Sequence, residues 1–314
     1  IYNYAKHLER EIRAIRQSKI CTANKKKLIE YKDYLIARGL SLARTVKCIW
    51  TLRVLALLHG KPFETADKQD ITRLVNLIEQ KDLSAYSKHD YKLILKQFFK
   101  WLKDTDEYPE LVKWIKVKKP KNRILPEELL TPDEVKALIR SAHHPRDKAF
   151  IAVLYESACR IGEMLKLKIK HVHPDRYGAQ LIVDGKTGPR RVRILSSSPL
   201  LATWLSNHPF RENPEAPVWI CVGTSDWGKL LHHNGAARIL KECAQRAGVN
   251  KRIYPHLFRH SRLTELARLG FNEFQLRTFA GWAMDSDEAA VYVHMSGRDV
   301  DDALLRINGI EKEH

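Results

Sequence analysis

This chain of 314 residues is poor in the features that would make it a disulfide-stapled or metal-built protein. Its five cysteines, at positions 21, 48, 159, 221 and 243, are odd in number, scattered, and never spaced as a CxxC pair. That excludes a disulfide framework and disfavours structural zinc. The adjacent pairs His143-His144 and His232-His233 point apart on a helix or strand. No carboxylate or thiol stands at ligand spacing beside them, so no metal and no cofactor is expected. No apolar run approaches the ~20 residues of a membrane-spanning helix, and the first residues lack a signal-peptide pattern. A cytoplasmic location is expected. Because the chain begins at Ile1 rather than methionine, trimming or processing is expected, and with it room for a further segment ahead of it.

Acid is the other shortage. Asp and Glu number 37 against 55 Lys and Arg, leaving +18 and a pI near 9.7. Such a chain attracts polyanions, nucleic acid first. The excess is uneven: residues 1–130 hold 28 basic and 16 acidic residues (+12), and the remainder 27 and 21 (+6). The amino-terminal part therefore carries most of the electrostatic footprint.

Hydrophobic content of 44% is ample for buried cores, and the length suits two domains. Residues 1–111 show repeated helical spacing, as in Ile71, Leu74, Val75, Leu77, Ile78, and again in Tyr91, Leu93, Ile94, Phe98, Phe99, Trp101, Leu102. Breaks fall at Arg38-Gly39, Gly60-Lys61-Pro62 and Lys81–Ser84, with Ser41 and Ser84 as N-caps. A helical bundle is expected. Residues 112–130 read as a basic linker whose Lys113, Lys116, Lys118, Lys119 and Lys121 can follow a phosphate backbone. At Thr131-Pro132-Asp133-Glu134 an N-cap, a proline at the first helical position and an acidic first turn open a second domain, 131–314. Within it, Gln180–Asp184 and Arg191–Leu195 flank turn material at Gly185–Pro189, which predicts a β-hairpin with Lys186 at its tip.

Short motifs then follow in order: Cys159-Arg160-Ile161-Gly162-Glu163, Gly185-Lys186-Thr187, His256-Leu257-Phe258-Arg259, Gly281-Trp282 and Tyr292-Val293-His294. They suit phosphodiester cleavage without a metal. The transition state gathers negative charge on the non-bridging oxygens, and paired guanidinium N–H groups meet that charge best. Arg160 and Arg259 are the expected clamps, with the Trp282 indole and His256 as further donors. A phenol of pKa about 10 needs a proton acceptor to attack. His256 is the expected acceptor, Tyr292 the nucleophile, and Lys186 the donor to the leaving 5′-oxygen. Glu163, three residues beyond Arg160 as Arg259 is beyond His256, would orient Arg160. The HxxR pattern alone says little, since it also occurs at His7/Arg10, His143/Arg146, His173/Arg176 and His208/Arg211. The joint order of the motifs is the specific signal.

That ordered set resembles the tyrosine recombinase (phage integrase) family of the Cre/Xer type. Trp282 stands where most members carry a second histidine, and the stretch from Gly281 to Tyr292 is most similar to archaeal integrases. The motif similarity runs from about Leu130 to the end. The resemblance implies a mainly α fold with a small β-hairpin or sheet. It also implies two domains forming a C-shaped DNA clamp, a helical SAM-like core-binding domain and a catalytic domain. The implied activity is site-specific DNA cleavage and rejoining through a 3′-phosphotyrosine and a Holliday junction, by a homo-oligomer on double-stranded DNA, dimer to tetramer. A nucleoid-associated place in the cytoplasm goes with it. The amphipathic run Asp299–Ile307 would be a C-terminal helix that docks on a neighbouring subunit or on its own domain. A type IB topoisomerase and a silent DNA-binding protein on the same scaffold are the alternatives.

Overall fold

The computed structural model describes residues 3–118, 120, 125–185, 187–295 and 307–309. The chain divides into two compact units, Tyr2–Arg123 and Ile124–His314.

The first unit is helical: α1 (Tyr4–Gln17), α2 (Thr22–Ala37), α3 (Leu42–His59), α4 (Lys68–Gln80), α5 (Ala85–Leu102) and the short α6 (Glu110–Lys113). Ser41 and Ser84 cap α3 and α5, their hydroxyls accepting the backbone N–H of Arg44 and Ser87. Gly60 ends α3 in the left-handed region at φ 77°, a conformation that favours glycine. Aromatic packing dominates the core. Phe63, Phe98 and Phe99 are fully buried and meet edge to face, with Phe63 and Phe98 centroids 5.2 Å apart.

The expected linker is corrected at its start. Val112 and Ile115 are buried in the first core, and Val117 packs against it. The buried Lys96 holds this segment, donating to the carbonyls of Lys113 (3.2 Å) and Ile115 (3.0 Å). A burial that satisfies both an ammonium and two carbonyls fixes backbone that basic composition alone reads as solvated. Lys113 pairs with Glu110 at 3.0 Å, whereas Lys116 and Lys118 are exposed. Lys119 and Lys121 lie outside the described residues.

In the second unit α7 (Pro132–Ser141) begins as the sequence predicts. Thr131 Oγ1 accepts from the Glu134 N–H at 3.2 Å, and the Glu134 carboxylate accepts from the Thr131 N–H at 2.8 Å. The unit's packing starts earlier than residue 131, because Leu129 and Leu130 are already buried in its core and the Leu130 N–H donates to Ser261 Oγ at 2.8 Å. The middle of helix α8 (Pro145–Ser157) is apolar on all sides, with Ala149 to Leu154 buried without interruption, so it runs through the core. After it come α9 (Ile161–Leu165) and an antiparallel sheet of β1 (Val172–Asp175), β2 (Gly178–Gly185) and β3 (Gly188–Ile194) in that order. The expected hairpin is present, with Gly185 paired to Gly188 at its tip. The strand β1 went unread, because it is short and carries His173 and Pro174 in place of an apolar alternation. The helices α10 (Ser198–Ser206), α11 (His233–Ala247), α12 (Pro255–Arg268), α13 (Glu273–Ala280) and α14 (Glu288–Met295) complete the unit. A satellite apolar cluster of Ala158, Leu263, Leu266, Ala267, Leu276, Ala280, Ala289 and Tyr292 joins α12, α13 and α14 to the end of α8. Residues 299–306 of the expected C-terminal helix lie outside the described residues.

Candidate active site

Two helix C-termini build the cationic half of the site. Ala158, just past α8, sits at φ 46°, one of two non-glycine residues at positive φ among the described residues. Its carbonyl is thereby turned toward Arg259 and accepts from Nη1 at 2.7 Å. The last carbonyl of α13, on Ala280, accepts from Nη2 at 2.8 Å. Orphan carbonyls at helix ends carry partial negative charge, which suits a guanidinium. Arg259 is only 4% exposed. Burial and the positive charge of Arg160 lower its pKa to about 10, so it stays protonated at neutral pH.

Arg160 stands at the N-cap of α9, ahead of its first turn. Its relation to Glu163 is a cap: Glu163 accepts the Arg160 backbone N–H at 2.9 Å and its Nη1 at 2.8 Å. The Arg160 guanidinium also donates to the carbonyl of Gly281 at 3.3 and 3.4 Å. Glu163 is buried, so this is no surface ion pair worth a few tenths of a kcal/mol. A third cation joins it. Arg190 shares the inward face of β3 with Val192 and Ile194, and its Nη2 is 2.9 Å from Glu163. Burial works to raise the Glu163 pKa, but the bonds and charges of Arg190 and Arg160 outweigh it and hold the carboxyl at about 2. Three guanidiniums around one carboxylate leave an excess of two positive charges for an anion.

Glycine is required at two points. At Gly281, φ 63°, a Cβ would come within 2.7 Å of Arg190 Nη1, and the Gly281 carbonyl accepts from both Arg160 and Thr187 Oγ1. At Gly185 a Cβ would collide with the Glu163 carboxylate. The hairpin tip is therefore packed onto the buried acid. Lys186, between Gly185 and Thr187, lies outside the described residues.

The tyrosine half rests on rings. Tyr292, on α14, is 4% exposed and stacks on the Trp282 indole at 5.4 Å and 24°. Arg259 lies over that indole, its Cζ 5.2 Å from the centroid. Burial pushes the phenol up to about 12 against the downward pull of Arg259 and Arg160. His256, at the exposed start of α12, faces the arginines. Lost hydration first, then the charges of Arg259 and Arg160, lower its pKa. His256 is not the phenol's partner, contrary to expectation. His260 is, with Nδ1 2.6 Å from the Tyr292 hydroxyl. Among the described residues no cluster of His, Cys, Asp and Glu is arranged to hold a metal.

The family model described as "Phage integrase family" matches residues 128–298, more than half of the chain. The chain belongs to the phage integrase family. A tyrosine recombinase of Thermosipho africanus is 25% identical over 295 residues, covering 90% of this chain and 99% of its own. The tyrosine recombinase XerA of Pyrococcus furiosus is 27% identical over 288 residues, covering 91% and 90%. In fold the chain is similar to a XerH site-specific recombinase bound to its palindromic difH substrate after cleavage, with TM-score 0.71 at 17% identity over 97% of this chain and 89% of that one. It is also similar to a lambda integrase dimer bound to a COC′ core site, with TM-score 0.68 at 16% identity over 87% and 78%. Tyrosine recombinases cleave and rejoin DNA, and this chain is an enzyme of that family.

In this chain the structure brings together Arg160, Glu163, His256, Arg259, Trp282 and Tyr292 from segments up to 132 residues apart in sequence. Sequence reasoning missed Arg190 and His260. The signal for His260 was present, since it follows Arg259 directly and lies one helical turn beyond His256 on the same face. Arg190 gave only a strand alternation, with Arg191 and Arg193 as equal competitors.

Proposed function

We propose that this chain is a site-specific recombinase that breaks and rejoins double-stranded DNA through a 3′-phosphotyrosine on Tyr292, with strand exchange through a Holliday junction and without metal or nucleotide. The observation that carries the reading is the continuous contact Tyr292–Trp282–Arg259, which sets a phenol beside a cluster with two uncompensated positive charges. Arg160 and Arg259 bind the non-bridging oxygens. The exposed His256 and the half-buried Trp282 add donors, and Glu163 with Arg190 fixes Arg160. Lys186, between Gly185 and Thr187 in sequence, protonates the leaving 5′-oxygen.

The reading assigns residues 1–111 to DNA binding, with Lys116, Lys118, Lys119 and Lys121 along the phosphate backbone. It assembles dimers into tetramers on paired sites and places the protein with the nucleoid. No described helix is long and apolar enough to cross a membrane.

The test is a labelled DNA with a nicked suicide site, incubated in EDTA without nucleotide and run on a denaturing gel. A protein–DNA adduct from the wild type and none from Tyr292→Phe, with binding retained, is the expected result. Adduct from both would move the nucleophile elsewhere, and none from either on bound cognate DNA would make the chain a silent binder.

A further inference from the structure

Sequence and family resemblance gave the phenol's proton to His256, yet the geometry points to a different base. His260 and Tyr292 are stacked at 5.8 Å and 20°, and the Nδ1 to hydroxyl distance is 2.6 Å. With Trp282 on the same phenol ring, the rotation of Tyr292 is fixed and its hydroxyl is aimed at one acceptor among the described residues. The His256 ring is 6.4 Å from that of His260, one turn earlier on α12. Resting on the recombinase reading above, we propose that His260 is a catalytic residue whose Nδ1 takes the Tyr292 proton as the phenol oxygen attacks phosphorus.

The first requirement of a general base is reach, and 2.6 Å meets it. The second is an unprotonated lone pair. Burial, then His256 and Arg259 on the same helix, lower the His260 pKa to about 4, so the ring is neutral at physiological pH. A neutral ring that accepts at Nδ1 carries its hydrogen on Nε2. The other groups around the pair are Glu288 on α14, Tyr254 ahead of α12, and Arg160, each of which acts on Tyr292. At rest the proton therefore stays on the phenol. A bound phosphodiester shifts that balance. Negative charge set against Arg259 offsets that arginine's part in weakening His260, while burial, the larger cause, stays.

The step balances. The proton leaves the phenol for Nδ1, the tyrosyl O–P bond forms, and the P–O5′ bond breaks with its electron pair going to the 5′-oxygen, protonated by the separate donor, Lys186. In rejoining, the 5′-hydroxyl returns its proton to the neutral Lys186 amine and attacks, the tyrosyl oxygen leaves with the O–P electron pair, and imidazolium His260 returns the proton to it. His256 is thereby free to donate to a non-bridging oxygen.

Single-turnover adduct formation on the suicide DNA, from pH 5.5 to 9, tests this in wild type, His260→Asn and His260→Ala. Asparagine offers an acceptor oxygen but cannot carry the proton. The expected result is a fall of roughly 10²-fold or more in adduct rate at unchanged DNA binding, an altered pH profile, and rescue of His260→Ala by added imidazole in proportion to its free base. An asparagine variant as fast as wild type, or an alanine variant that is faster because His260 only restrains the tyrosine, overturns the assignment. Independently of any variant's folding, nitrogen-15 shifts of the wild-type protein should show hydrogen on Nε2 of His260. Hydrogen on Nδ1 overturns it too. Absence of adduct from wild type itself would remove the parent reading, whereas adduct from wild type and an equally fast asparagine variant would remove only this one.

Discussion

The two units spend burial differently. The first fills its interior with rings, Tyr31, Phe63, Phe98 and Phe99, and its buried cation Lys96 serves only to fasten the chain that leaves it. The second buries Glu163 beside Arg160 and Arg190, and aims two helix ends at the buried Arg259. Buried charge costs far more than buried phenyl. A unit that gathers buried charge around one point is shaped by what it must bind, and a unit built on rings is shaped by stability.

Four changes would break or sharpen that contrast. Phe98→Ala should cost the first unit about 3–5 kcal/mol, read as a lower denaturation midpoint, while the acid dependence of the second unit's transition stays put. An equal loss in both transitions would show that the units melt as one. Arg160→Ala, in a side chain 29% exposed and so tolerated by the fold, should leave DNA affinity nearly intact and lower the adduct rate about 10²–10³-fold, or about 2.7–4 kcal/mol. Loss of binding and rate in equal measure would reduce Arg160 to a positioning contact.

The third change is acidic. Glu163 titrates near 2 when folded, against an ordinary 4.5. Between those values the unfolded chain binds more protons, so stability rises with pH. The carboxylate's contribution, about 3 kcal/mol by linkage, is complete above pH 4.5 and lost as pH falls through 2. Glu163→Gln should therefore lower thermal stability at pH 7 and flatten its decline between pH 5 and 2. An unchanged slope would mean that the Arg190 and Arg160 bonds do not hold the proton off. The smallest effect belongs to Lys96→Met, which should cost about 1 kcal/mol and raise amide exchange at Lys113 to Val117, leaving cleavage chemistry unaltered. No change in exchange there would return that stretch to the linker.

The sequence was informative where chemistry demands one residue type. Arg160, Arg259 and Tyr292 could be named because no other side chains supply a permanent fork and a ring hydroxyl, and Ser41, Ser84 and Thr131 because cap geometry is local. It misled where an apolar or polar pattern hides a tertiary partner. Val112 to Val117 looked solvated because the ammonium that binds its carbonyls lies 17 residues away.

The residue order alone determined that this chain is mainly helical with one small sheet, that it meets a polyanion, and which residues could carry phosphoryl chemistry, since propensity, net charge and side-chain functional groups are properties of residues and their near neighbours. Only the tertiary structure decided which histidine faces the phenol and which arginine joins Glu163. Those choices turn on ångström distances between α12 and α14 and between β3 and α9, set by packing of segments far apart in sequence, and hydrogen bonds exist only at such distances.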